Sequence, residues 1–379
     1  MSGARQHFTF AEPPGLMPVE CGAGLGPITL AYETWGELSP QKDNVILVLH
    51  AFSGDSHVAS HESGCGKAQE PGWWEFMVGP GKGIDTRKYF VLCSNIIGGC
   101  MGSTGPSSIS PETGQPYGMD FPVVTVRDMV RAQKMLLDHL GIRRVLAVIG
   151  GSMGGMQALQ WCASYPETVA SAVLLATTAR HSALSIAFNE IARQAIMADP
   201  KWRQGSYYGG EGPELGLAVA RMIGHVTYLS DEAMRRKFGR RLQDRCSLSY
   251  DFNVNFQVES YLHYQGEKFV RRFDANSLLY ITKAADYFDF TTVDSGTLTR
   301  MADAGTRFLV VSFSSDWLYP TYQSKELVRL LKKNSINVSF CEIEADSGHD
   351  GFLIPSRRLT DLVAGFLRAR SEEERRQAE

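Results

Sequence analysis

Apolar and polar positions along the chain fall into two regimes. Up to about residue 180, short unbroken apolar runs alternate with segments of helical spacing. Val45-Ile46-Leu47-Val48-Leu49 has no polar member, as suits a strand buried on both faces. Ile28 to Trp35, Tyr89 to Ser94, Val145 to Ile149 and Val169 to Leu175 read as further strands. Between them, Val126 to Leu140 sets Met129, Gln133, Leu136, Leu137 and Leu140 on one side, with Thr125 as N-cap and Asp128 as its acidic partner. Gly155 to Tyr165 reads as another helix, stopped before Pro166. Buried strands alternating with helices predict an α/β class: a mostly parallel sheet flanked by helices on both faces.

The second regime runs from about His181 to Met301, where amphipathic helical segments follow one another with hardly any strand signal. One of them starts at Ser230, a capping residue followed by Asp231 and Glu232 in the first turn. Strand-like runs resume at Phe308 to Ser312 and Val338 to Ile343, with helical segments at Ser324 to Asn334 and Leu359 to Ala369. The expected organisation is an α/β core of residues 1–180 and 302–379, interrupted by a helical insertion of residues 181–301. The charged stretch Ser371 to Glu379 is expected to fray.

Composition narrows the function classes. A net charge of −3 gives no reason to expect nucleic acid or an anionic membrane as partner. No run of about 18 apolar residues suggests a membrane span, and Met1 to Pro14 lacks the basic and apolar segments of a secretory signal. The seven cysteines, at 21, 65, 93, 100, 162, 246 and 341, form no Cys-x-x-Cys pair and read as reduced thiols of a cytoplasmic protein. No metal is expected. Cys93 and Cys100 have no second pair beside them, and His57 and His61 have helical ligand spacing but lie in a loop-like segment without His-Glu-x-x-His.

The candidate chemistry starts at Gly150-Gly151-Ser152-Met153-Gly154, a G-x-S-x-G pentapeptide that follows a buried strand and opens a helix. In that context the serine sits on a strained strand-to-helix turn, which requires small residues two positions before and after it. The turn lifts the hydroxyl out of the sheet beside a helix N-terminus, which favours developing negative charge. This makes Ser152 the candidate nucleophile of an α/β-hydrolase fold. A phosphate-binding loop would need Gly-Lys-Ser or Gly-Lys-Thr, which is absent here.

A serine hydroxyl needs a base to take its proton, and in this fold the chain order is Ser, then Asp or Glu, then His. His349 is the only histidine after His263, in a loop past the strand that ends near Ile343. Asp316 follows the strand Phe308 to Ser312. The expected roles are His349 as base and Asp316 as the acid that orients it, with Asp303, Asp346 and Asp350 as competitors for the acid. The oxyanion hole is expected from the N–H of Met153 and an N–H of the loop His50-Ala51-Phe52-Ser53-Gly54, with Phe52 as the chosen donor. His50 precedes the serine and suits a loop-shaping role.

These residues define a serine acyl-enzyme catalyst of open substrate. The sequence also resembles the homoserine O-acyltransferase family of methionine biosynthesis over nearly its whole length. The resemblance is carried by Ile28 to Thr34, His50 to Gly54, Pro71-Gly72-Trp73-Trp74, Gly102 to Pro106, Phe121 to Asp128 and Gly150 to Leu159. It continues through Ala220 to His225, Gln257 to Leu262, Ser315-Asp316-Trp317 and Gly348-His349-Asp350. The resemblance implies ping-pong acyl transfer from an acyl-CoA through Ser152 to L-homoserine, with no cofactor beyond the CoA co-substrate. It implies Arg221 and Asp350 as the groups for the amino acid's carboxylate and ammonium, and Tyr228 as a pocket residue. It also implies that the insertion is a helical lid through which a homodimer forms. Without the resemblance, Arg221 reads as a solvated helix residue and Asp350 as a turn cap.

The donor expected is acetyl-CoA. A succinyl group would want a cation just past the acid–Trp pair, where Asp316-Trp317-Leu318-Tyr319-Pro320 has Leu318, although Arg180 or another distant base is not excluded by this local reading. Open alternatives are a homoserine O-succinyltransferase, a serine O-acyltransferase, and a serine esterase or thioesterase sharing the triad. Serine and homoserine differ by one methylene, worth only about 1–3 kcal/mol of discrimination.

Overall fold

The computed structural model describes residues 5–61 and 71–378. Cys65, the first four residues of the N-terminal stretch and Glu379 of the charged tail lie outside the described residues. Eight strands form one sheet: β1 (Gln6–Phe10), β2 (Ile28–Trp35), β3 (Val45–Leu49), β4 (Phe90–Ser94), β5 (Ala147–Gly151), β6 (Ser171–Leu175), β7 (Arg307–Phe313) and β8 (Val338–Ile343). Their spatial order is β1-β2-β4-β3-β5-β6-β7-β8. The β1–β2 and β2–β4 pairs are antiparallel and all the others are parallel.

The unbroken apolar runs are explained by two cores, one on each face. Leu47, Val148, Leu174 and Val310 point into one, with Met129 and Leu136 of α1 (Val126–His139) and Leu159 and Trp161 of α2 (Met153–Ser164). Val48, Ile149, Val173 and Val311 point into the other, with Trp74 and with Leu359, Val363 and Leu367 of a C-terminal helix. Alternate residues of one strand thus need apolar side chains for different cores.

Between β6 and β7 the chain forms α3 (Ala183–Met197), α4 (Glu214–Tyr228), α5 (Asp231–Lys237), α6 (Gln257–Val270), α7 (Ala275–Tyr287) and α8 (Ser295–Asp303). Two further helices follow, α9 (Thr321–Lys333), which packs on β7 and β8, and α10 (Arg357–Ala378). The caps fall where side-chain chemistry places them. Thr125 and Asp128 form a reciprocal capping box on α1, and the Ser230 hydroxyl accepts the Ala233 N–H at the start of α5.

Of the boundaries that differ from the pattern-based expectation, three have a clear physical reason. β5 begins two residues later than Val145 and runs into the pentapeptide, because Gly150 and Gly151 continue the parallel ladder to Leu174 and Leu175. Val145 itself makes only an isolated bridge to Val169. Helix α2 starts at Met153 rather than Gly155, and its glycines, poor helix formers, hid that start. The charged tail does not fray but continues α10 to Ala378, tied down by Glu373 to Arg307 and by Glu374 to Arg144.

Candidate active site

Ser152 stands between the end of β5 and the first residue of α2, with φ 57° and ψ −123°. A non-glycine residue in that region is strained, and strain of about 1–3 kcal/mol persists only where the surroundings over-determine the backbone. Here its N–H donates to Leu175 O at 2.9 Å and its carbonyl accepts from Thr177 Oγ1 at 2.7 Å. The two outer glycines have steric reasons. A Cβ on Gly150 would lie 2.2 Å from the Gly154 carbonyl carbon, and one on Gly154 would lie 2.1 Å from Leu49 O. The turn closes only if both are glycine.

His349 and Asp316 reach the serine from loops past β8 and β7. His349 Nε2 lies 2.8 Å from Ser152 Oγ, and His349 Nδ1 lies 2.8 Å from Asp316 Oδ2. The other carboxylate oxygen of Asp316 accepts the N–H groups of Leu318 at 3.0 Å and Tyr319 at 2.9 Å. All three side chains are buried. Burial alone would depress the pKa of His349, but the charge and hydrogen bond of Asp316, with the charge of Asp350, raise it overall. The competing acids are not on the ring: Asp346 pairs with Arg236, and Asp303 ends α8. Gly348 (φ 78°) lets the histidine loop approach the end of α4, since a Cβ there would lie 2.5 Å from Tyr228 O.

Phe52 and Met153 line the same cavity as Ser152, and neither N–H has a hydrogen-bond partner among the described residues. Two donors with no internal acceptor beside a nucleophile are what a tetrahedral oxyanion requires. His50 shapes this loop. Its Nδ1–H donates to Ala51 O at 2.8 Å and its Nε2 accepts the Ile96 N–H at 3.3 Å, a pattern only the neutral ring satisfies. Burial lowers its pKa accordingly.

Arg221 and Tyr228, both on α4, line the cavity. The Arg221 guanidinium packs over the Phe269 ring at 4.7 Å and the Tyr228 ring at 5.8 Å, and donates to Ser53 Oγ at 3.3 Å. Among the described residues no carboxylate pairs with it. Tyr228 also faces the His349 ring, at 6.0 Å between centroids. Asp350 follows His349, and its charge acts on His349 and Tyr228 while that of Arg221 acts on it. Burial raises its pKa against the lowering charges of His349 and Arg221.

Several residues that hold the site were not singled out from the sequence. Glu33 on β2 is buried and accepts from His57 Nδ1 at 2.8 Å and His61 Nε2 at 2.9 Å, as well as from Ser56 and Arg5. Burial opposes its ionisation, but the hydrogen bonds from His61, His57 and Ser56 hold its pKa down at about 2. Its ligand atom and those of the two imidazoles lie within 4.8 Å of one another, a spacing open to a metal. The hydrogen bonds and the Arg5 charge already account for the carboxylate as a tie between β2 and the loop after β3. Trp73 Nε1 donates to Asp55 O and Trp74 Nε1 to Phe352 O, each at 2.8 Å, which fastens the oxyanion-side and histidine-side loops. Trp317 Nε1 donates to Leu229 O at 2.9 Å, and Ser230 to Asp346 O, so the corner between α4 and α5 is fixed to both the acid and histidine loops. The one sequence signal for these was the tryptophans of Pro-Gly-Trp-Trp and Asp-Trp.

A sequence model described as the α/β-hydrolase fold matches residues 44–355. The chain is 63% identical over 365 residues to a homoserine O-acetyltransferase of Desulfotalea psychrophila, covering 96% of this chain and 94% of that protein. Among solved structures, a homoserine O-acetyltransferase from Bacillus anthracis superposes with a TM-score of 0.87 at 30% identity, over 96% of this chain and 97% of that one. The esterase E22 superposes with a TM-score of 0.86 at 28% identity, over 96% and 99%.

Proposed function

The chain belongs to the homoserine O-acetyltransferases of the α/β-hydrolase fold, and from that premise we propose that it carries acetyl from acetyl-CoA to the hydroxyl of L-homoserine through an acyl-enzyme on Ser152. The observation that carries the mechanism is the continuous chain Ser152–His349–Asp316, at 2.8 Å per link, opening on a cavity that also holds Arg221.

His349 Nε2 takes the Ser152 proton as Oγ attacks the thioester carbonyl, and the oxyanion is held by the N–H groups of Phe52 and Met153. Collapse breaks the C–S bond, and the imidazolium returns its proton to the departing thiolate of coenzyme A. The homoserine hydroxyl then attacks the acetyl-serine while His349 accepts its proton. Collapse of the second intermediate releases O-acetylhomoserine and reprotonates Ser152. Asp316 keeps the Nδ1–H tautomer and stabilises the imidazolium in both halves. The protons and electron pairs balance with these groups alone, so we assign no cofactor beyond the CoA co-substrate.

Arg221 is assigned to the carboxylate of homoserine, because a guanidinium held over aromatic rings without an acid partner is ready for a bidentate carboxylate. Asp350 is assigned to the ammonium, and Tyr228 to the wall between them. These assignments also separate the reading from an esterase like the structural neighbour E22, since an uncharged ester would use neither charge.

We further assign residues 181–301 as a lid over a core of residues 1–180 and 302–379, and pairing of two copies through that lid. Exposed apolar side chains concentrated there, including Leu184, Ile191, Leu215, Val219 and Phe252, support the pairing. No helix among the described residues is long and apolar enough to cross a membrane. The described cysteines are all free, which supports a cytoplasmic site of action. The assignment is tested by coenzyme A release from acetyl-CoA with L-homoserine, with L-serine and without acceptor. Release that depends on homoserine supports it. Equal release without acceptor means a hydrolase, and preference for serine means a different acceptor.

A further inference from the structure

A second hydrogen-bonded chain reaches the cavity that holds the nucleophile. The Tyr319 hydroxyl lies 2.6 Å from His181 Nε2, and His181 Nδ1 lies 3.0 Å from Asp286 Oδ1. Asn189 donates to Asp286 Oδ1 and Arg193 to Asp286 Oδ2, each at 2.7 Å. The side chains of His181, Asp286 and Arg193 are only 5–7% exposed. Tyr319 joins this chain to the triad: its N–H holds Asp316, and its ring stands edge-on to His349, 4.9 Å between centroids. Tyr319, His181 and Asn189 line the same cavity as Ser152.

The charges in this wall are arranged to leave no free cation among the described residues. Arg193 is taken up by Asp286 and, at 2.8 Å, by Glu190. Arg180 lies mostly exposed, 3.7 Å from Asp289. Among the described residues, Arg221 is the only lysine or arginine lining the cavity, and the proposed function commits it to the acceptor. Burial pushes the Asp286 carboxyl up, but its three donors and the Arg193 charge more than offset this, so it stays ionised. With an anion behind it, His181 keeps its Nδ1–H on Asp286, and its Nε2 is occupied by the tyrosine hydroxyl.

Resting on the acyl-serine reading above, we propose that the Tyr319–His181–Asp286–Arg193 cluster is the donor-selecting wall of the acyl site, accepting a short uncharged acyl group on Ser152 and rejecting one that ends in a carboxylate. A succinyl chain turned toward this wall brings its carboxylate up to a hydrogen-bonded imidazole backed by Asp286. It finds no unpaired donor cation there, and like charges brought together without water repel strongly. Selection is thus by an element hostile to the wrong donor rather than by an extra contact to the right one.

The test compares kcat/KM for acetyl-CoA and succinyl-CoA at saturating homoserine in the wild type, in Asp286→Asn and in Tyr319→Phe. Asp286→Asn removes the anion and leaves Arg193 less neutralised. Tyr319→Phe removes one oxygen, keeps the ring packing, and leaves His181 Nε2, which accepts that hydroxyl, as an open acceptor that offers a carboxylate nothing. The succinyl-to-acetyl ratio should rise by about tenfold or more in folded Asp286→Asn, mainly through a lower KM for succinyl-CoA, and should not rise in Tyr319→Phe, which keeps the anion and adds no donor. A parallel fall with both donors in Asp286→Asn would make the cluster merely structural, and a raised ratio in Tyr319→Phe would show that the anion is not what rejects succinyl; either result would overturn the proposal. So would a wild type that uses both donors equally. The acyl-enzyme reading is judged separately in the same experiment: if acetyl-CoA leaves no acetyl group on wild-type Ser152, that reading fails and takes this proposal with it.

Discussion

Replacing Asp316 by asparagine tests the triad with almost no change in shape. Oδ1 of Asp316 accepts two backbone N–H groups, from Leu318 at 3.0 Å and Tyr319 at 2.9 Å. In Asp316→Asn the amide carbonyl must keep that place, because the reverse orientation would set an NH2 against two N–H donors. The NH2 then falls where Oδ2 stood, 2.8 Å from His349 Nδ1. A donor at that point forces Nδ1 to accept, so the imidazole proton moves to Nε2, 2.8 Å from Ser152 Oγ. That nitrogen no longer takes the serine proton. A Ser-His-Asp triad with the wrong tautomer loses about 10⁴-fold in rate, or roughly 5 kcal/mol of transition-state stabilisation. Stopped-flow measurement of coenzyme A release, with thermal melting to verify the fold, should find both half-reactions slowed by this order, since His349 serves both. A loss of less than about tenfold in a well-folded Asp316→Asn protein would refute the tautomer argument and return the acid's role to another carboxylate.

Three further outcomes follow from the geometry. The net rise in the pKa of His349 places the acid limb of the acylation rate above the imidazole's ordinary value of about 6.5. The rate falls as pH drops through that limb, because only the neutral ring accepts a proton. Asp350→Asn removes one of the charges raising it and should move the limb to lower pH in the acyl-CoA half-reaction; an unchanged or higher limb contradicts this. Arg221→Ala should raise the KM for homoserine by about 10- to 100-fold, the worth of a charge-assisted hydrogen-bonded pair, and leave acylation by acetyl-CoA within a few-fold; equal loss in both halves would make Arg221 a packing residue. Gly154→Ala sets a Cβ 2.1 Å from Leu49 O, so urea unfolding should show a loss of about 2–3 kcal/mol or more, and wild-type stability would mean the elbow is looser than described.

Much of this was legible in the residue pattern because the relevant forces are local. An all-apolar strand such as Val45 to Leu49 announces burial on both faces, and G-x-S-x-G announces a turn that only glycines allow. Chain order and strand ends then brought out Asp316 and His349, although Ser152 and Asp316 lie 164 positions apart. What stayed hidden depends on contacts between distant segments. Glu33 reads as one polar residue in a strand until β2 is seen beside the loop that carries His57. Asp286, His181 and Arg193 belong to different helices or loops, and no spacing rule links them. The charged tail looked like a frayed end because its partners, Arg144 and Arg307, lie far away in sequence. Arg221 and Asp350 drew their roles from the family resemblance. The structure places Arg221 at the cavity and Asp350 directly after His349.

The most direct test of the central claim is mass spectrometry of the protein after brief exposure to acetyl-CoA, followed by addition of L-homoserine. The account predicts one acetyl group on the peptide containing Ser152, its loss on adding homoserine, O-acetylhomoserine as the product, and no label in Ser152→Ala. An unlabelled Ser152 in a protein that still forms O-acetylhomoserine, or a label that disappears equally fast in water alone, would contradict it.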